Sequence, residues 1–178
     1  MLLSIPPYLK RTILAVSILM VCKAGHSQNA EHAKSKLSVG VFGETVWPLA
    51  EFRENHKRGT GGSATLRVHL EPQTVLQLSA GYLHFPGKTF EDQYLKYAIH
   101  DWQAIPVRLG GNYFVTSHFF LRAEAGAVFF VEPGGGTSLI LGPGIGLRLQ
   151  RVEAAAKIET WTGGGTVSFA GFGLGYTF

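Results

Sequence analysis

Residues 170–178 read AGFGLGYTF, from Ala170 to Phe178. Gly171, Gly173 and Gly175 recur at every second position, and Phe172, Leu174, Tyr176 and Phe178 occupy the other phase. A glycine-rich phosphate loop would sit between a strand and a helix, and no helical period accompanies this stretch. A repeat of two is the period of a β-strand, here with one minimal face and one bulky apolar face. The same argument removes GPGIG, Gly142–Gly146, as a nucleotide loop.

Working back from this strand, the alternation runs through nearly the whole chain downstream of residue 36. Eight strands are predicted: Leu37–Leu49, Gly62–Glu71, Thr74–Phe85, His100–Val115, His118–Val131, Ser138–Gln150, Arg151–Thr162 and Thr166–Phe178. Each has about ten residues or more. Strands of soluble proteins are usually half that length, whereas a tilted strand crossing a membrane needs roughly 9–11 residues. The connections alternate too. Glu71-Pro-Gln73, Thr116-Ser117 and Gln150-Arg151 are tight. Ala50–Gly61 and Pro86–Ile99 are long and polar, and two more connections are Gly-rich. Tight turns on one side and longer loops on the other are the pattern of a transmembrane barrel, with the tight side periplasmic.

Period alone does not decide which face points inward. A soluble lipocalin-like barrel buries its apolar face. Here the polar face carries Gly40, Gly81, Gly110, Gly126, Gly142, Gly144, Gly146, Gly171, Gly173 and Gly175. Glycine weakens a solvated strand but suits an eight-stranded lumen only just wide enough for its side chains. The charges of that face also balance. Arg67, Arg108, Arg122, Arg148 and Lys157 stand against Glu44, Glu71, Glu124, Glu153 and Glu159. Buried charge must be paired, so these ten are expected to form an ionic network filling the lumen. Removing Arg122 should then destabilise the barrel. The apolar face would meet lipid, with Trp47, Tyr82, Tyr97, Trp102, Tyr113, Tyr176 and Phe178 as an interfacial girdle.

The first 27 residues are of another kind. Lys10 and Arg11 precede the apolar run Ile13–Val21, and small and polar residues lead to Ser27. This is the layout of a cleavable signal peptide, too short to cross a bilayer as a helix. Cleavage is expected near Ser27–Gln28; processing at Cys22 is disfavoured by Val21 before it. The expected organisation is a signal peptide over 1–27, a short periplasmic segment over 28–36 and a barrel over 37–178. Lys10, Arg11 and Lys23 leave with the signal, taking the 16 basic residues to 13 against 12 acidic ones. Nucleic-acid binding is therefore not indicated. The single cysteine, Cys22, leaves as well, so stability cannot rest on disulfides.

Signal peptide, eight amphipathic strands and an aromatic terminal residue together resemble the small OmpA/OmpX-type outer-membrane β-barrel proteins of Gram-negative bacteria. The hairpin IPVRLGGNYF, Ile105–Phe114, with FFLRAEAGA, Phe119–Ala127, is similar to hairpins of that family, and the likeness spans about residues 36–178. The resemblance implies an all-β, eight-stranded antiparallel transmembrane barrel in the outer membrane. It also implies that Gly173, Tyr176 and Phe178 are read by the barrel assembly machinery, although Gly171 stands where that pattern often has a polar residue. Functions within the family differ, and a fold does not fix one.

Candidate chemistry is sparse. Some small barrels of this kind modify lipid A with His, Ser and acidic residues at the outer rim. His84, Asp92, His100 and Asp101 fall there, but no serine accompanies them, and Ser117-His118 lies at a tight turn on the other side. The seven histidines show no ligand spacing, and His69 is expected as a hydrogen-bonded lumen residue. No cofactor, metal or enzymatic activity is expected, and eight strands leave no open pore. The function indicated is structural, or an interaction or adhesion through the long loops. A barrel subunit of a secretion or envelope-assembly complex is one alternative and a lipid-A-modifying enzyme another. Lys88, Phe90, Tyr94, Lys96 and Tyr97 are the candidate loop contacts, and outer-membrane lipid, lipopolysaccharide and a protein partner are the candidate ligands.

Overall fold

The computed structural model describes residues 37–91, 96–131 and 135–178; the predicted signal peptide and residues 28–36 lie outside them. Eight long strands form the wall: β1 (Leu37–Pro48), β2 (Gly59–Glu71), β3 (Thr74–Phe85), β6 (Trp102–Phe114), β7 (Phe119–Phe130), β8 (Thr137–Leu149), β9 (Val152–Thr162) and β10 (Thr166–Thr177). They close in the order β1-β10-β9-β8-β7-β6-β3-β2, with neighbouring strands antiparallel. The final strand seals the barrel against the first, from Gly40 opposite Thr177 to Pro48 opposite Phe169. Closure leaves no free sheet edge.

Connections at one end are short, across 72–73, 115–118 and 150–151. Gln150 takes a φ of 55° there. At the other end the β1–β2 loop holds a single helical turn, α1 (Phe52–Asn55), and the β3–β6 loop holds a small hairpin, β4 (Thr89–Glu91) with β5 (Lys96–Ala98). Neither α1 nor this hairpin is visible in the sequence periodicity, because each is too short to show a repeat.

The polar face points inward. Arg67, Arg108, Glu153 and Glu159 are at most 2% exposed, while Leu109, Leu139, Leu149 and Ile158 are at least 55% exposed. A water-soluble barrel would have the opposite arrangement. The outward apolar run of β8, Leu139 to Leu149, stands about 25 Å tall at roughly 3.3 Å per residue and about 40° of tilt. That is the height of the apolar band on a transmembrane barrel. Among the described residues no helix is long and apolar enough to cross a membrane.

Inside, glycines make room for aromatic rings. A Cβ on Gly175 would collide with the Phe42 ring, and one on Gly146 with Phe120. The lumen is not ionic throughout. At the long-loop end Val46, Leu83, Phe85, Ile140, Trp161 and Phe169 form an apolar plug, joined from above by Phe52 of α1. Trp102 corrects the girdle expectation. It shares the inward phase of β6 with Ala104 and Arg108, and packs its ring 5.2 Å from Phe52 and 5.1 Å from Phe130. Glu71 corrects the lumen expectation. The register shifts between His69 and Glu71, and Glu71 is exposed beside the β2–β3 turn.

Candidate functional site in the lumen and the long loops

Below the plug, the lumen charges fall into two clusters. In the upper one, Arg108 on β6 reaches across the barrel to Glu159 on β9. Its Nε and Nη2 each donate over 3.0 Å to the two carboxylate oxygens. This fork-to-carboxylate geometry is the strongest form of the pair. Lys157 Nζ lies 2.7 Å from Glu159 and 2.8 Å from Glu44, and Arg108 completes the ring at 3.5 Å from Glu44. Trp161 Nε1 donates to Glu159 over 2.6 Å, tying this cluster to the plug above.

In the lower cluster, Glu153 on β9 is the hub. Arg67 donates to it over 3.1 Å, Arg148 over 2.8 Å and 3.1 Å, and Arg122 also donates to it. Glu124 accepts from Gln77 over 2.5 Å and lies 4.0 Å from Arg122. Asn112 bridges, donating to Gln77 over 3.1 Å and accepting from Arg122 Nε over 2.8 Å. Three guanidiniums here face two carboxylates. Aromatic faces carry part of that excess: Arg148 lies 4.7 Å over Phe114, and Arg122 lies 5.1 Å over Phe120 and 5.6 Å over Phe42. A guanidinium over a desolvated ring is attracted by its quadrupole.

Sequence period places Glu44, Arg67, Arg108, Arg122, Glu124, Arg148, Glu153, Lys157 and Glu159 on one face, and the barrel brings these nine together. Gln77, Asn112, Trp161 and Thr177, which accepts from Arg67 over 2.5 Å, are members that charge counting passes over. Their inward phase was the available signal. His69, on the same phase, is half-buried. Among the described residues no group of three or more His, Cys, Asp or Glu is placed to hold a metal ion. Between the clusters lies a cavity of about 30 Å³, room for one or two waters and too small for a channel.

The long loops are fastened to each other. Lys57 N donates to Pro86 O over 2.8 Å and Lys88 N to Asn55 O over 2.9 Å, around a bridge between His56 and Gly87. Lys88 Nζ donates to Arg53 O over 2.5 Å, tying this candidate contact to the neighbouring loop. Phe90 and Tyr97 stack with centroids 5.1 Å apart, and Tyr97 is exposed. Lys96 opens β5, and Tyr94 falls outside the described residues. At the rim, Asp101 accepts from Gly87 N over 2.9 Å and pairs with His84 over 3.0 Å. The Gly87 amide first, and His84 second, hold its carboxyl below the ordinary aspartate range. At the other end, Tyr176 and Phe178 pack edge to face on the outside while Gly173 faces the lumen against Phe42.

No protein-family model matches the chain, and no curated protein matches it in sequence. Solved structures do match in shape. Ail, the attachment invasion locus protein of Yersinia pestis, superposes with a TM-score of 0.54 at 17% identity, over 81% of this chain and 99% of Ail. A second Ail structure, in complex with the heparin analogue sucrose octasulfate, gives 0.53 at 18% identity over 80% and 97%. The N-terminal β-barrel domain of Pseudomonas aeruginosa OprF gives 0.52 at 17% identity over 79% and 97%. The fold is that of a small outer-membrane β-barrel. Within that outer-membrane barrel fold, the ionic lumen and the fastened loops are the two places where the present chain's own chemistry is concentrated.

Proposed function

We propose that this protein is an integral outer-membrane barrel, exported by a signal peptide cleaved near Ser27, with no open pore and no enzymatic activity. Its work is structural or is done by contact through the long-loop end, which then faces the outside of the cell. The observation that carries this reading is the inverted barrel: an apolar belt outside and paired charge inside, at most 2% exposed at Arg108 and Glu153. Lipid and lipopolysaccharide are the surroundings such a belt fits. Gly173, Tyr176 and Phe178 on the sealing strand are suited to recognition by the barrel assembly machinery.

The loop end offers a platform with no net positive charge. Arg53, Lys57, Arg58, Lys88 and Lys96 are outnumbered by Glu51, Glu54, Glu91, Asp92, Asp101 and Glu132. A polyanion such as the one bound to Ail is therefore poorly supported, and a protein surface meeting the exposed Tyr97 of the Phe90–Tyr97 stack is favoured. A barrel subunit of an envelope complex would use the same platform. The His84–Asp101 pair is the one feature pointing toward lipid-A chemistry, since it joins a base to an orienting acid. Among the described residues no hydroxyl is hydrogen-bonded to His84, so no nucleophile is activated there.

The test is extraction followed by native mass spectrometry. The protein should require detergent and leave with the outer membrane. A stoichiometric extra protein mass would identify the partner, and a bare monomer would favour a self-standing structural barrel. Recovery in the soluble fraction would overturn the reading, and altered lipid A in a deletion strain would replace it with the enzymatic one.

A further inference from the structure

With Glu71 outside, the lumen charges no longer balance. Among the described residues, Arg67, Arg108, Arg122, Arg148 and Lys157 face Glu44, Glu124, Glu153 and Glu159. One positive charge is in excess inside a low-dielectric wall, and an uncompensated buried charge is costly. Aromatic faces soften that cost without adding a negative charge.

The cavity between the clusters lies where the excess is felt. Three cations line it, Arg108, Arg122 and Lys157, against two carboxylates, Glu44 and Glu124. Arg122 donates to Asn112 and to Glu153, which it shares with two other arginines, and lies 4.0 Å from Glu124. Thr65 also lines the cavity, is 5% exposed, and its hydroxyl has no hydrogen-bond partner. Ser63, Ser79 and Gln77 supply further polar groups to the lining. A buried hydroxyl without a partner, beside surplus cationic charge and at a polar cavity, calls for an occupant.

We propose that this cavity binds one small monovalent anion, of the chloride class, which completes the charge balance of the lumen. The size argues for that class. One water-sized sphere needs roughly 10–15 Å³, so about 30 Å³ has room for a monatomic ion. The hydroxyl of Thr65 donates to the ion, and Arg122 supplies the charge. The plug lies above the site and the Glu153 hub below it.

Crystals of the refolded barrel grown in bromide provide the direct test, because bromide scatters anomalously. One anomalous peak in the lumen beside Thr65 is the expected result. In solution, the urea midpoint in detergent should rise with sodium chloride or bromide and not with sodium gluconate at equal ionic strength. Thr65→Val keeps the shape, removes the donor and should abolish the halide response. Arg122→Gln removes the excess charge and should abolish it too. Water alone in the wild-type cavity, or equal midpoints in chloride and gluconate, would overturn the proposal without needing either variant to fold.

Discussion

Gly175 shows how narrow the tolerances of this barrel are. Its missing Cβ is the space into which the Phe42 ring fits. Gly175→Val should therefore lower stability by about 1–3 kcal/mol, the usual cost of overpacking. Phe42→Ala in the same chain should recover part of the loss, as coupled neighbours do. Urea unfolding of the four proteins of the cycle checks this, and strict additivity would remove the explanation. The glycine phase was legible in AGFGLGYTF because period two exposes it. The ring it serves was not, since Phe42 lies on another strand and only the β1–β10 register brings the two together. Asp101 carries a second residue-scale prediction. The Gly87 amide and His84 favour its charged form, so its folded-state pKa is depressed. The tether it makes is complete above the ordinary aspartate value of about 3.9 and is lost as pH falls through the lower folded value. The Gly87 amide resonance should titrate with a midpoint below about 3.9; a midpoint at or above it would contradict the bond.

At the scale of elements, the pairing of strands decides which charges meet. Glu153 gathers partners 86, 31 and 5 residues away, from β2, β7 and β8. Period told which side of each strand these residues occupy. It could not tell their height in the barrel, which depends on the stagger between strands. Glu71 failed for this reason: its phase was right on paper, but a register shift carried it to the rim. Because Glu153 serves three guanidiniums, Glu153→Gln should be the worst single change in the lumen, costing about 3–5 kcal/mol or preventing folding. Arg122→Ala should cost less, since Arg67 and Arg148 still neutralise Glu153. Refolding yield and urea midpoints in one detergent rank the two, and the reverse order would refute the hub. At the long-loop end, Phe52 is the hydrophobic anchor of α1, with its ring 5.0 Å from Phe85 and 4.5 Å from His56. Phe52→Ala should leave the wall intact while residues 49–58 become open to protease. Unchanged resistance would mean that the backbone bonds to Pro86 and Asn55 hold the loop without it.

For the molecule as a whole, the eight long strands were readable from alternation, the inward polar face from the glycines and charges it carries, and the tight-turn end from the lengths of the connections, because each of these signals repeats along the chain. The apolar plug was not, because its members come one or two per strand and look like ordinary inward positions. Yet the plug settles what the barrel does with its interior. Three layers lie in series along the axis: the plug around Trp161, the Arg108–Glu159 ring and the Glu153 hub. Trp161 bonds the first to the second through Glu159, so they are mechanically continuous. An ion entering from the loop end would have to displace all three. The barrel should therefore give no conductance steps in a planar lipid bilayer. Phe52→Ala should give none either, although it loosens the loop end, because the guanidinium layers below it remain paired. Stable steps from the wild type would show that the lumen rearranges in the membrane; steps from Phe52→Ala alone would show that the plug, not the paired charge, is the seal.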